Sequence, residues 1–199
     1  APVPPPAPVP PPAPAPVRAA APSDKMTWHD QKRKMRQAQN DVFATPLELC
    51  QAHIDHVRAI IAKYNIDDRV WMEPFRFSGN YYDQFPSGKE KVWTELWDGK
   101  SFWPFTGHVD VIVTNPPFSC LGRAPNPAPK TVIRKCLELQ PKVISLLLLN
   151  GAMTESKVRV FEAAGYKVAG SVKTKVPSWH GGDVEITTFV KTDADIGDP

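Results

Sequence analysis

The sequence predicts a doubly wound α/β fold, in which helices cover both faces of a mostly parallel β-sheet. Apolar runs of strand length alternate with segments of helical periodicity, which is typical of parallel strands joined by crossover helices. These runs are almost continuously apolar, as expected for strands that are buried on both faces. Two final strands, near 166–173 and 184–191, are separated by a polar loop and predict a hairpin with one antiparallel strand.

The individual elements follow in chain order. The first helix is predicted to begin at Pro46, because proline favours the first turn of a helix and a broad apolar face follows it. A second and a third helix are expected near 130–140 and 154–164, and Gly165 ends the latter. Earlier strands are expected near 69–73, 91–96, 109–114 and 143–149.

The amino-terminal part of the chain differs in composition from the rest. Residues 1–24 are rich in Ala, Pro and Val, which predicts an extended polyproline-type arm rather than a core. Residues 25–41 are basic and form either a leading helix with a solvated face or a linker that meets phosphates. The folded domain is expected over residues 42–192, and residues 193–199 form an acidic tail.

The net charge and the cysteines predict in which cellular compartment the protein lies, but they indicate little about its function. The net charge of +3 does not by itself indicate a nucleic-acid binder. The arm lacks the charged start and continuous apolar stretch of a signal peptide, and nothing approaches the roughly 20 apolar residues of a membrane span. Three widely spaced cysteines predict buried, reduced thiols in an intracellular compartment. His53 and His56 are expected to form a surface pair, because no further ligand completes a metal site.

Four residues at the end of the third predicted strand carry the strongest functional indication. Asn115-Pro116-Pro117-Phe118 closes an apolar run, and open α/β sheets place their chemistry at the carboxyl ends of such strands. The two prolines lock φ and remove two amide donors, which leaves nearby carbonyls to accept hydrogen bonds. Asn115 adds an amide oxygen and Phe118 a flat face, so the set suits an exocyclic amino group on a ring. A proline-terminated strand with an Asn-capped turn is the structural alternative.

This motif resembles the catalytic segment of the S-adenosylmethionine-dependent amino-methyltransferases, above all the N6-adenine DNA methyltransferases. The resemblance covers roughly residues 42–190, extends to adenine-methyltransferase-like proteins of large DNA viruses, and implies a Rossmann-like class I methyltransferase fold. The supporting segments are Phe43-Ala44-Thr45-Pro46 beside the methionine part of the cofactor, residues 70–81 as the acidic-Pro-x-x-Gly-x-Gly loop, and residues 92–95 as the second strand.

The resemblance also implies roles for individual residues. Asn115 and the Pro116 carbonyl would accept hydrogen bonds from the target amino group of an adenine flipped out of DNA. Phe118 would stack on that base, and Trp179 would either cover its other face or plug the sheet edge. No metal is implied. In S-adenosylmethionine, the amino group would lie near Glu73 and the ribose hydroxyls would contact Glu95. The other cofactor-binding residues would be Phe43, Thr45, Gly79 and Asn80.

Three departures from the family's pattern concern the cofactor and the target. Phe77 stands where the pattern has a glycine, and we expect its ring to fill part of the cofactor cleft. Ser101 stands where the family carries an acid that touches the cofactor's adenine. Little sequence lies between Phe118 and the strand near 143–149, so a region that reads bases in a groove is missing.

Two interpretations therefore stay open. The first is an enzyme that methylates adenine N6 in DNA, although RNA and glutamine side chains of proteins are further possible substrates. The second is a catalytically inactive methyltransferase fold that serves as a structural or binding module. In that case the arm at residues 1–24 would tether the domain to a protein partner, such as a capsid, because polyproline segments dock into aromatic grooves.

Overall fold

The structure is a computed structural model that describes residues 44–117, 132–176 and 183–192. Within these ranges the α-helices are α1 (Leu47–Lys63), α2 (Val132–Leu139) and α3 (Glu155–Ala163). Short 3-10 helices span Tyr82–Gln84 and Leu96–Asp98. The strands are β1 (Val70–Glu73), β2 (Glu90–Trp93), β3 (Val111–Thr114), β4 (Val143–Leu149), β5 (Tyr166–Lys175) and β6 (Asp183–Lys191).

The strands form one sheet in the order β2-β1-β3-β4-β6-β5. Strands β1 to β4 are parallel, and β6 is antiparallel to both of its neighbours. This confirms the predicted mostly parallel sheet with an antiparallel carboxyl-terminal strand. The chain runs from β1 to β2 on one side and then to β3 on the other, so the strand order reverses at β1. In open α/β sheets, ligands bind in the crevice outside the carboxyl ends of the strands at such a point.

Helices cover both faces of the sheet, as predicted. Helix α1 packs on one face, where Ile54 and Val57 join a core that includes Trp71 and Val113. Helices α2 and α3 pack on the other face, against a second core that contains Met72. Because successive side chains of a strand point to opposite faces, neighbouring residues such as Trp71 and Met72 contribute to different cores.

The core also contains polar and thiol side chains. Cys50 and Cys136 are free and buried, which confirms the thiol prediction for these two residues. Burial raises the pKa of Cys136 to about 12, so this thiol stays protonated. The prediction of a surface histidine pair is wrong for His53, whose side chain is completely buried on the sheet-facing side of α1. Cys120 lies outside the described residues.

Several predictions fall outside the described residues. They are the arm at 1–24, the basic segment at 25–41, the acidic tail at 193–199, and three side chains with predicted site roles, Phe43, Phe118 and Trp179.

Candidate cofactor and substrate site

The last residue of β1 is a buried carboxyl at the point where the strand order reverses. Only 3% of Glu73 is exposed, and its Oε2 accepts a hydrogen bond of 2.8 Å from the backbone amide of Tyr82. Burial raises the pKa of Glu73 to about 8, although the Tyr82 amide and Arg76 act in the opposite direction. The carboxyl is therefore largely protonated at neutral pH, and a cationic group placed beside it would favour its ionisation.

The loop after β1 turns through two residues with left-handed backbone conformations. Phe77 has a φ of 43° and Gly79 a φ of 84°. These are the two glycine positions of the resembled loop, so Phe77 adopts the backbone conformation that glycine usually provides. The Phe77 side chain is 43% exposed. A Cβ atom at Gly79 would lie 3.3 Å from both Arg76 Nη2 and Asp83 Oδ2, so the loop is closely packed at this position.

A second carboxylate follows β2 at the same edge of the sheet. Oε2 of Glu95 accepts a hydrogen bond of 2.8 Å from the backbone amide of Phe77. The backbone of Glu95 also exchanges two hydrogen bonds with Lys100, at 2.7 and 3.0 Å. Glu95 therefore supports the loop after β1 and brings a carboxylate close to it. Its predicted contact with ribose hydroxyls stays a prediction.

Thr45 connects the loop after β1 with the polar turn after β3. Its carbonyl oxygen accepts a hydrogen bond of 2.7 Å from the side-chain amide of Asn80. Its hydroxyl accepts a hydrogen bond of 3.1 Å from the side-chain amide of Asn115. Thr45 is itself 5% exposed. The structure thus brings together Thr45, Asn80 and Asn115, which sequence reasoning had assigned to three separate segments.

The turn after β3 is largely buried beside this contact. Thr114, which ends β3, is completely buried, and Pro116 is buried as well. Because Nδ2 of Asn115 donates to Thr45, the orientation of the amide is fixed and its oxygen lies on the other branch of the side chain. Pro116 and Pro117 donate no backbone hydrogen bond. This arrangement favours accepting hydrogen bonds from a bound amino group over donating them.

A cluster of cations and aromatic rings borders the loop, and sequence reasoning missed it. The guanidinium of Arg76 lies 4.8 Å from the ring centre of Trp93 and 5.2 Å from that of Tyr82. Nζ of Lys100 lies 3.7 Å from the ring centre of Trp93. Contacts of this kind fix the Arg76 side chain against β2. One indication of this cluster is present in the sequence: a single arginine lies in a loop whose other side chains are uncharged, and aromatic residues follow it.

The segment after β2 places a serine where the resembled family has an acid. Oγ of Ser101 accepts a hydrogen bond of 3.4 Å from the backbone amide of Trp103. Phe102 is 3% exposed and makes an edge contact with Phe75, with ring centres 5.5 Å apart. Ser101 therefore forms part of a turn that buries aromatic rings beside the loop after β1.

Comparison with known proteins reveals the fold through solved structures alone. The sequence matches no protein-family model and no curated protein. Among solved structures, a Pyrococcus horikoshii protein assigned as an RNA methyltransferase is similar, with a TM-score of 0.55 and 18% identity over 75% of this chain and 87% of its own. The chain has the class I methyltransferase fold.

Two further structures share this fold at low sequence identity. A chain of the E. cuniculi Mtq2–Trm112 complex, responsible for methylation of the termination factor eRF1, gives a TM-score of 0.52 with 15% identity over 76% of this chain and 99% of that one. The N-methyltransferase NodS from Bradyrhizobium japonicum, in complex with S-adenosylhomocysteine, gives a TM-score of 0.50 with 12% identity over 82% of this chain and 98% of that one.

The described parts of the chain show neither a metal-binding group nor a helix that could span a membrane. Residues 44–117, 132–176 and 183–192 contain no group of three His, Cys, Asp or Glu side chains that could hold a metal ion. The α-helices in these same ranges are too short or too polar to cross a membrane.

Proposed function

We propose that this chain binds S-adenosylmethionine at the carboxyl edge of its sheet and methylates the exocyclic N6 nitrogen of adenine in DNA. The observation that carries the proposal is the hydrogen bond from Asn115 to Thr45. This bond joins the motif that resembles an amino-group acceptor site to the segment that resembles the methionine side of a cofactor site. Both lie where the strand order reverses, which is the expected ligand position in this fold.

The residues at this edge fit the proposed cofactor by their chemistry. S-adenosylmethionine carries a cationic amino group, a ribose diol and an electrophilic methyl group on its sulfonium sulfur. The buried carboxyl of Glu73 suits the amino group, because a cation restores its charged form. The carboxylate of Glu95 suits the diol. The loop that contains Gly79 places the backbone amide of Tyr82 on Glu73 and the backbone amide of Phe77 on Glu95.

The chain's own residues would act on the target nitrogen. The lone pair of adenine N6 is delocalised into the ring, and the nitrogen would become positive as it bonds to the methyl carbon while the bond from that carbon to sulfur breaks. S-adenosylhomocysteine would leave, and the extra proton on N6 would pass to water. Oδ1 of Asn115 and the carbonyl oxygen of Pro116 would accept hydrogen bonds from the two N6 hydrogens, and these bonds strengthen as charge develops. Because Thr45 and the two prolines hold the turn in place, little reorganisation is needed. Loss of one such acceptor lowers rates by roughly 10²–10³.

An inactive binding module is the second candidate, and one contact favours it. Glu95, the acid proposed for the ribose, already accepts the amide of Phe77. Phe77 and Ser101 also replace residues that the resembled family uses for the cofactor. In this case the fold serves as a scaffold, and the arm at residues 1–24 binds a protein partner such as a capsid.

Calorimetric titration of the full chain with S-adenosylmethionine tests the proposal first, followed by methyl transfer to adenine-containing DNA. We expect micromolar binding and measurable transfer. Asn115→Ala should retain binding and lose transfer by about 10²-fold or more. Transfer to RNA or to glutamine in a peptide, but not to DNA, would change the assigned substrate. Absence of binding in the parent would favour the module.

The compartment follows from the same proposal. The free thiols of Cys50 and Cys136 and a DNA substrate are compatible with an intracellular, reducing location, either in the host cell or in a virion.

A further inference from the structure

A line of buried polar side chains crosses one core of the protein, from the loop after β1 to β6. The hydroxyl of Tyr81 lies 2.8 Å from Nδ1 of His53, and Nε2 of His53 lies 2.7 Å from Oγ of Ser145. Oγ of Ser145 is in turn 2.6 Å from the hydroxyl of Thr188. Tyr81 is 2% exposed, and the other three side chains are completely buried.

Packing of this core does not require polar side chains at these positions. His53 occupies a position on α1 that is flanked by Cys50, Ile54 and Val57, where an apolar side chain would pack without needing hydrogen-bond partners. Burial, with a smaller contribution from His56, lowers the pKa of His53 to about 3, so the ring is neutral and has one donor and one acceptor nitrogen. Both nitrogens have a partner. A buried polar group that is fully satisfied in this way confines its neighbours to one arrangement.

Tyr81, the member of this line that belongs to the loop after β1, lies between two residues that contact the candidate site. Tyr81 follows Asn80, whose side chain binds the carbonyl of Thr45, and precedes Tyr82, whose amide binds Glu73. Burial raises the pKa of the Tyr81 hydroxyl well above its ordinary value, so the hydroxyl stays protonated beside His53. The position of Tyr81 therefore determines where both neighbouring contacts form.

We propose that His53 is a positioning residue for the cofactor loop, holding Tyr81, and through it Asn80 and Tyr82, against β4 and β6. The inference rests on the proposed function, because it concerns the loop that binds S-adenosylmethionine there. His53 touches neither cofactor nor target. It acts by removing alternative positions of the loop before the ligand arrives, which lowers the entropy lost on binding.

Tyr81→Phe tests this inference with a closely matched control. The substitution removes one hydroxyl and keeps the edge contact between the ring at position 81 and the His53 ring, whose centres are 5.4 Å apart. Tyr166→Phe makes the same chemical change elsewhere, because the buried Tyr166 hydroxyl donates at 2.7 Å to the carbonyl of Pro141. Both variants lose one buried hydrogen bond, but only Tyr81 belongs to the loop.

Hydrogen exchange in the absence of ligand is the first measurement. In Tyr81→Phe, we expect the amides of Gly79, Tyr82 and Asp83 to exchange about tenfold faster relative to the β4 amides, which is the worth of one hydrogen bond. Tyr166→Phe should leave this ratio unchanged. An equal acceleration of loop and β4 amides in Tyr81→Phe would overturn the inference, because it would show a loss of overall stability only.

Two variants of His53 provide a rescue. His53→Ala removes the hydrogen bonds to both Tyr81 and Ser145, whereas His53→Asn carries an amide where Nδ1 stands and can contact Tyr81 again. We expect His53→Asn to recover part of the loop protection that His53→Ala loses. Equal loop protection in the two variants would contradict a positioning role. If His53→Ala does not fold, the comparison of Tyr81→Phe with Tyr166→Phe still decides the matter.

Calorimetry with S-adenosylmethionine is the second measurement. The dissociation constant should rise several-fold in Tyr81→Phe and stay at the parent value in Tyr166→Phe. If the parent chain does not bind S-adenosylmethionine, the proposed function fails, while the exchange experiment still decides whether His53 positions the loop. If the parent binds and Tyr81→Phe binds equally well with unchanged exchange, the role of His53 fails alone.

Discussion

The side-chain amide of Asn115 donates a hydrogen bond to the hydroxyl of Thr45, which lies 70 positions earlier in the chain. The contact joins the turn after β3 to the segment that leads into α1. It has two consequences that can be measured, because it orients an amide and also links two segments that are distant in sequence.

Thr45→Val should weaken both the fold and the proposed transfer. Valine has nearly the same shape as threonine but cannot accept the Asn115 amide, so the amide loses this partner. We expect the free energy of unfolding to fall by about 1–3 kcal/mol. Transfer should slow by about tenfold or more, since Thr45 no longer fixes the orientation of the Asn115 amide. Thr45→Ser keeps the hydroxyl and should stay close to the parent in denaturant unfolding and initial rates.

Phe77→Gly should favour cofactor binding through the loop after β1. Glycine adopts the φ of 43° without steric cost and removes the ring from the loop. Calorimetry should show tighter binding of S-adenosylmethionine than in the parent. Gln140→Gly is the control, because Gln140 also has a positive φ, of 50°, but lies after α2 and outside the candidate site. Equal affinities for parent and Phe77→Gly would show that the ring does not limit binding.

Glu73→Gln should change how stability depends on pH. The pKa of Glu73 in the folded protein, about 8, lies above its ordinary value of 4.5, so the folded state holds a proton that the unfolded chain releases. The contribution to stability is complete below pH 4.5 and is lost as the pH rises through about 8. The glutamine side chain does not titrate, so between pH 4 and pH 9 the stability of the variant relative to the parent should rise by roughly 4–5 kcal/mol, since the difference between a pKa of about 8 and one of 4.5 is worth about 1.4 kcal/mol per pKa unit.

Denaturant unfolding between pH 4 and 9 measures this difference. Glu162→Gln makes the same substitution at an exposed glutamate on α3 and is the control for the loss of one carboxyl group. A difference between Glu73→Gln and the parent that does not vary with pH would contradict the prediction.

His53 should make the protein less stable in mild acid. Its pKa is lowered to about 3 by burial, and the unfolded chain takes up a proton near pH 6.5 that the folded state does not. Stability is therefore complete above pH 6.5 and falls as the pH drops toward 3, by about 2 kcal/mol between pH 6.5 and 5. His53→Gln should lose this part of the slope, whereas Tyr81→Phe, which retains His53, should keep it in urea unfolding at the two pH values.

The sheet and its helices could be predicted because their apolar patterns are strong. The run at Val143–Leu149 is apolar apart from one serine, and it forms β4 with these bounds. The helix after Pro46 shows a clear apolar face and forms α1. The position of Asn115 followed from the same reasoning, because a polar turn after a buried strand lies at the sheet's carboxyl edge.

The contacts within the site could not be predicted in the same way. A pattern shows that Phe77 replaces a glycine, but not that its backbone keeps the left-handed conformation. The sequence predicts His53 on the surface because no further ligand completes a metal site with His56, although His53 shares the apolar face of α1 with Cys50, Ile54 and Val57. Its partners, Tyr81 and Ser145, are distant in sequence, and such pairs produce no periodic pattern of residues from which they could be predicted.

Thr45 belongs to the candidate site but lies before the first helix and outside both hydrophobic cores. Helix α1 begins at Leu47, and a chain shortened to that residue would retain the sheet and both of its cores. It would nevertheless lose the residue that accepts both Asn80 and Asn115. Under the proposed function, the part of the chain that builds both cores and the part that would carry out transfer thus differ by the few residues that precede the first helix.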